Sequence, residues 1–173
     1  MKLLLGFVLI LLLNSCSEMK IEDYKNTKPI IKIEEYFQGN VKAWGMLQGR
    51  SGEVKRQFVA DMKGEFDGQN LILYETFILN DGEKQERRWT IKKVGDNRYE
   101  GTAPDVVGIA KGTSFGSAFK FEYKLLVPYK DKKIKIRFDD WIFKQDEKTA
   151  INKATLTKFG FKVGELTVFF IKD

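Results

Sequence analysis

The sequence predicts an all-β fold, an antiparallel up-and-down barrel of about 8–10 strands. Three observations lead there. Ten segments of strand-like composition follow one another from residue 41 onward: 41–48, 54–66, 71–79, 85–94, 98–103, 108–115, 118–127, 133–143, 149–158 and 163–172. Turn signals separate them, and no long stretch keeps a helical period. In the clearest segment, Phe119, Phe121, Tyr123, Leu125 and Val127 alternate with Lys120, Glu122 and Lys124, so one face is buried and the other is wet.

The elements can be justified in order. Ile30 to Phe37 has room for one or two helical turns, and the strands begin after it. Gly49-Arg50-Ser51-Gly52 ends the first strand, Asp67-Gly68 the second and Asn80-Asp81-Gly82 the third. Such Asp-Gly pairs supply the positive φ that tight hairpins need. Strand 71–79 is apolar on both faces, which calls for something to cover its second side. Gly95-Asp96-Asn97, Pro128 and Asp146-Glu147 mark later turns. Gly101, Gly108, Gly112 and Gly116 read as bulges or close backbone approaches, because no Gly-Lys-Ser/Thr phosphate loop accompanies them. A sheet of this many strands curls, and closure removes its exposed edges. A lipocalin/calycin-like barrel is therefore expected in preference to a two-sheet sandwich. A membrane-spanning barrel is disfavoured, since the strand around Lys133, Lys135 and Arg137 would turn cations toward lipid.

Composition limits the chemistry. The chain has 173 residues, 43% hydrophobic and 31% charged, enough for one domain with a sizeable core. It has no His and one Cys. Imidazole general-base catalysis, Ser-His and Cys-His nucleophiles and His-ligated metal sites are all excluded, as is an internal disulfide. No cofactor is expected, and the protein reads as a non-enzyme.

The N-terminus reads as an address. Lys2 precedes the apolar run Leu3–Leu13, too short for a mature membrane helix and typical of a secretory signal. Leu13-Asn14-Ser15-Cys16 resembles the bacterial lipobox, which implies cleavage after residue 15 and acylation of Cys16. Several acyl chains suffice for stable anchoring. Ser17, where an inner-membrane protein of that class carries Asp, implies the outer membrane with the domain facing the periplasm. The expected organisation is a signal peptide over 1–15, a lipidated tether over 16–35 and a β-barrel domain over 36–173. Membrane attachment through Cys16 makes nucleic acid an improbable partner despite the formal charge of +6.

Candidate site residues follow from strand parity. If Ile134, Ile136 and Phe138 face inward, so does Asp140, and a buried carboxylate requires donors or a cation. Asn152 shares inward parity with Ala150 and Ala154 and is a candidate donor. Arg56, in phase with Phe58 and Met62, is a candidate cation; Arg88 is another, although Trp89 and Ile91 suggest that it faces outward. Two further readings of Phe138-Asp139-Asp140-Trp141 stay open. A bulge there would slip the parity and turn Trp141 inward. Alternatively, the two acids serve as general acid and base, although neighbours on a strand point to opposite faces. Asp140, Asn152, Arg56 and Trp141 are thus the candidate ligand-binding residues. The many aromatics suit a filled barrel or a ligand cavity equally, and Ala60, Gly64, Ala150 and Ala154 lean toward a cavity.

Phe138-Asp139-Asp140-Trp141-Ile142, Ile151-Asn152-Lys153-Ala154 and the run Lys158 to Phe170 together resemble the bacterial lipoproteins grouped as domain of unknown function 3833. Tyr36-Phe37-Gln38-Gly39, Ala43-Trp44-Gly45 and Trp89-Thr90-Ile91 add to the likeness. That resemblance implies an envelope location and no assigned activity. The expected function is an outer-membrane lipoprotein whose barrel binds an apolar ligand, such as a fatty acyl chain or lipid. The alternative is an accessory lipoprotein that contacts an envelope protein. Labelled palmitate should enter the wild-type chain and not Cys16→Ser; label retained by that variant would refute acylation at Cys16.

Overall fold

The computed structural model describes residues 19–173, so the expected signal peptide and the acylation site at Cys16 lie outside the described residues. Ten antiparallel strands close into a barrel. They are β1 (Gly39–Gly49), β2 (Val54–Phe66), β3 (Asn70–Leu79), β4 (Lys84–Lys93), β5 (Arg98–Thr102), β6 (Ala110–Phe115), β7 (Ala118–Tyr129), β8 (Lys132–Lys144), β9 (Thr149–Lys158) and β10 (Phe161–Lys172). Each pairs with its sequence neighbours, and β1 pairs with β10 from Val41↔Lys172 to Gly49↔Gly164. The expected barrel is therefore present, with each strand close to its expected position. Extra residues at Lys55 on β2 and Val163 on β10 shift the registers with β1 and β9 and bend those strands.

Alternation decides what fills the interior. Leu71, Leu73 and Leu79 on β3, Trp89 and Ile91 on β4, and Phe119 and Phe121 on β7 are buried. A Cβ on Gly101 or Gly112 would strike the Phe121 or Phe119 ring, so both glycines mark the close approaches read from the sequence. The outer face of β3 departs from expectation. Tyr74 and Ile78 stay exposed, with the Arg88 guanidinium over Tyr74, 5.6 Å from the ring centroid. Isolated apolar side chains on a surface need no cover, which is why apolarity alone misjudged this face.

The segment before β1 also differs from the expected tether over 16–35. A 3-10 helix at Ile21–Tyr24 lies on the outer wall, with the Tyr24 ring 5.9 Å from Trp141 and 5.5 Å from Phe143. The chain then crosses the barrel end, and the single turn α1 (Ile33–Tyr36) plugs it. Ile31, Ile33 and Phe37 are buried in the main core. Each such side chain contributes at most about 1.5–3 kcal/mol of transfer free energy. Charge runs suggested a solvated tether, but the apolar residues among those charges are the ones that face the barrel.

Polar contacts tie the plug to many strands. Ser114 Oγ donates to the Ile31 carbonyl at 2.6 Å, and Tyr36 Oη to that of Lys148 at 2.8 Å. Lys172 Nζ donates to the carbonyls of Glu35, Tyr36 and Gln38 at 2.6, 3.0 and 2.8 Å, satisfying groups that the short helix leaves open. Glu34 is buried and accepts from Lys93 Nζ at 2.7 Å and Tyr99 Oη at 2.8 Å. Burial pushes its carboxyl upward, but these donors prevail and hold it below the usual range.

Gly64 gives the plug its seat. A Cβ there would lie 1.8 Å from the Phe37 carbonyl oxygen, and backbone cannot swing aside as a side chain can. Gly64→Ala should lower unfolding stability by about 1–3 kcal/mol and speed hydrogen exchange in residues 31–37. Unchanged exchange would show that the plug is not seated on that glycine.

Candidate functional site: a cavity with a polar wall

The plug forms the floor of a cavity of about 120 Å³ inside the barrel. Ile33 and Phe37 rise from the plug, and Ala43, Phe58, Ala60, Met62 and Val168 line the wall from β1, β2 and β10. Small side chains leave the space. Ala60 performs the role expected of it. The other three small residues do not line the cavity: Gly64 receives the plug, while Ala150 and Ala154 are buried within packed clusters.

One side of the wall is polar. Asp140 points into the cavity, as strict alternation required. Its Oδ2 accepts from Tyr123 Oη at 2.8 Å and its Oδ1 from Asn152 Nδ2. Asn152 also donates to the Trp141 carbonyl at 3.1 Å. The pairing of β8 with both neighbours runs unbroken through this stretch, with Phe121↔Asp140 and Asp140↔Ala154 in register. There is no bulge at Asp139-Asp140.

Two of the four candidate residues are displaced from the site. With parity intact, Trp141 lies on the outer wall, buried beneath Ile21 and Tyr24 rather than in the cavity. Its indole Nε1 donates to Asp139 Oδ1 at 3.0 Å, and Lys120 Nζ lies 3.5 Å from the same oxygen. The two adjacent acids are thus separated by the wall and cannot act on one atom. Arg56 is exposed near the rim, where it pairs with Glu83 at 3.5 Å. Parity with Phe58 did not bring it inward, because it lies beyond the depth at which the barrel encloses its contents.

The interior cation is Arg87. It stands opposite Glu75 in the β3–β4 register, with Nη1 3.7 Å from Glu75 Oε2. Its Nε and Nη2 both donate to Asp105 Oδ2, at 3.1 and 2.9 Å. Asp105 comes from the β5–β6 connection, which is drawn along β7 by the Val106↔Leu125 bridge and by the Leu126 amide donating to the Asp105 carbonyl at 2.9 Å. Glu75 and Arg87 both line the cavity. Their signal was present in the sequence: Glu75 shares parity with Leu71, Leu73 and Phe77, and Arg87 with Trp89 and Ile91. Asp105 gave no signal, since an irregular loop has no period to read.

Two carboxylates, Glu75 and Asp105, therefore share one guanidinium, and Asp140 lies close enough to Glu75 to act on its charge. Burial raises Glu75 to about 7, with Arg87 and a bond from the Trp89 side chain pulling it down and Asp105 and Asp140 pushing it up. Burial likewise raises Asp140 to about 6, partly offset by the bonds from Tyr123 and Asn152. Tyr123, itself buried against Asp140, is held well above its ordinary value and stays a neutral donor. Such an arrangement can orient a polar group within an apolar container, and its titration lies close to neutrality.

A family described as "Protein of unknown function (DUF3833)" matches residues 10–172. No curated protein matches the chain. Among solved structures, the chain is similar to the S-type phycobiliprotein lyase of Guillardia theta, with TM-score 0.59 and 9% identity over 90% of this chain and 98% of that one. It is also similar to a protein of unknown function from the DUF3598 family of Nostoc punctiforme, with TM-score 0.62 and 12% identity over 84% of this chain. There it spans only 51% of the other, longer chain. Identity at this level shows a common lipocalin-like barrel fold and no more.

Both interior carboxyls bind protons more tightly in the folded state than at their ordinary values of 4.5 and 3.8. The native state therefore holds extra protons between about pH 4 and pH 7, so these groups make stability fall as pH rises through that window. Glu75→Gln should flatten the fall above pH 5 and raise stability at pH 8 by on the order of 2 kcal/mol. Urea unfolding across this range checks it; an unaltered slope would remove Glu75 as its source.

Proposed function

We propose that this chain, which belongs to the DUF3833 family, is an outer-membrane lipoprotein whose periplasmic barrel holds a small, largely apolar ligand without transforming it. The observation that carries this reading is the cavity itself, closed below by a tied-down plug and lined by aliphatic and aromatic side chains around one polar patch. An apolar cavity of about 150 Å³ accepts benzene. A space of about 120 Å³ therefore suits one ring or the end of a chain, rather than a whole fatty acyl tail. Such a tail would have to continue beyond the enclosed volume. With no His in the chain and Asp139 on the far side of the wall from Asp140, the interior supports holding better than catalysis.

Orientation follows from the proposed anchor. Met19 lies beside Tyr24 at the plugged end, and its sulfur accepts from that hydroxyl at 2.9 Å. Acylated Cys16 stands three residues earlier, a reach of at most about 10 Å. The plugged end would sit against the membrane, and the opposite rim would look into the periplasm.

That rim favours a second reading, an accessory lipoprotein contacting an envelope protein. Phe159 and Phe161, at the tip of the β9–β10 hairpin, are 87% and 69% exposed, and Phe159 has a positive φ of 52°. A bulky residue rarely adopts that conformation, and here it displays an aromatic ring to solvent between Lys158 and Lys162.

Native mass spectrometry of the protein purified from its own envelope separates the two readings. A ligand-bound species lost on Ala60→Trp, with the fold retained, is expected for a container. If no bound molecule is found and a photo-crosslinker at Phe159 captures one envelope protein, the container reading fails in favour of the accessory one.

A further inference from the structure

The donors of the polar wall are unevenly shared among its carboxylates. Arg87 directs Nε and Nη2 to Asp105, and Tyr123 and Asn152 direct their protons to Asp140. Glu75 is left over. It lines the cavity and is at least nine-tenths buried, yet its Oε2 has no hydrogen-bond partner among the described residues. Arg87 Nη1, at 3.7 Å, is too distant to bond it. Asp105 Oδ1 is unpartnered as well. A buried carboxylate oxygen without a donor is costly, and one guanidinium cannot neutralise both Glu75 and Asp105.

We propose that the cavity binds a small amine, a ring-sized apolar body carrying an ammonium group that donates to Glu75. This rests on reading the barrel as a ligand container and names what the container accepts. The ammonium supplies a donor to the open Oε2 and a second positive charge beside Arg87. The ring occupies the space bounded by Phe58, Phe77 and Ala60, all of which line the same cavity as Glu75. An anionic ligand would meet excess negative charge, and the guanidinium that might receive it is already engaged by Asp105. The free carboxylate of a fatty acid is therefore the wrong head group for this wall.

Glu75 faces Arg87 and Trp89 of β4, Asp105 of the β5–β6 connection, Tyr123 of β7 and Asp140 of β8, so its charge responds to these neighbours together. It gains a proton near neutrality, at about 7, where an alkylammonium remains charged. Amine binding should consequently weaken on acidification, while binding of an uncharged ring should not.

The test compares benzylamine, benzyl alcohol, toluene and benzoate on the purified mature protein, by calorimetry and by quenching of Trp89. Benzylamine should bind at least tenfold more tightly than the alcohol, toluene or benzoate at pH 8. That preference should disappear in Glu75→Gln while alcohol binding persists. The wild-type pH series guards against a variant that fails to fold: benzylamine affinity should drop roughly thirtyfold from pH 8 to pH 5.5, with the alcohol unchanged. Equal affinity for charged and neutral probes would overturn the amine assignment and leave the container intact. Preferred binding of benzoate would overturn it in favour of recognition by Arg87. If no probe binds, the container reading falls and the amine assignment falls with it.

Discussion

The seam between β1 and β10 is the constraint on which the other features depend. Once Val41 pairs with Lys172 and the ladder runs to Gly49↔Gly164, the sheet has no free edge and every strand has a definite inside. Closure converts alternation along each strand into a boundary between two solvents. A residue such as Asp140 is then not merely half-buried: it is enclosed with whatever the other strands contribute at the same depth. Its partners come from β7 and β9, and the Glu75–Arg87 pair from β3 and β4. An open pair of sheets need not gather these groups around one space.

The plug adds a second constraint. A barrel of ten strands is too wide for its own side chains to close both ends, and the segment 21–37 supplies the missing floor. Its hold is distributed: apolar burial of Ile31, Ile33 and Phe37, the Glu34–Lys93–Tyr99 group, and the three carbonyls gathered by Lys172. Trp141 belongs to this system. By packing against Ile21 and Tyr24 on the outer wall it fixes where the chain begins its crossing. One short strand motif thus serves two compartments, with Asp140 facing the cavity and Asp139 and Trp141 facing the N-terminal segment.

The interior is unusual in its balance of charge rather than in its polarity. Satisfied networks rigidify a core, whereas a buried acceptor left open carries a cost that a donor would relieve. Asp140 has a donor on each oxygen, whereas Glu75 keeps Oε2 unpartnered among the described residues. The difference separates a structural polar group from one placed to meet a ligand, although both are carboxylates raised toward neutrality by burial.

Strand order and the inward direction of Asp140 and Asn152 were legible in the sequence because a period of two is local: each residue's face follows from its neighbours along the chain. Glu75 and Arg87 were legible by the same rule, Arg87 only one step from Arg88, whereas Arg56 was the cation that phase with Phe58 and Met62 favoured. Depth is different. Arg56 has the inward phase and still reaches solvent, because phase does not say how far along the barrel axis a residue stands. The seating of Phe37 against Gly64, the return of Asp105 along β7 and the outer pocket for Trp141 join residues far apart in the chain, through contacts with no period. Faces were therefore set by the sequence alone, whereas the end that is plugged, the size of the cavity and the shortage of donors around Glu75 arose only when the ring closed.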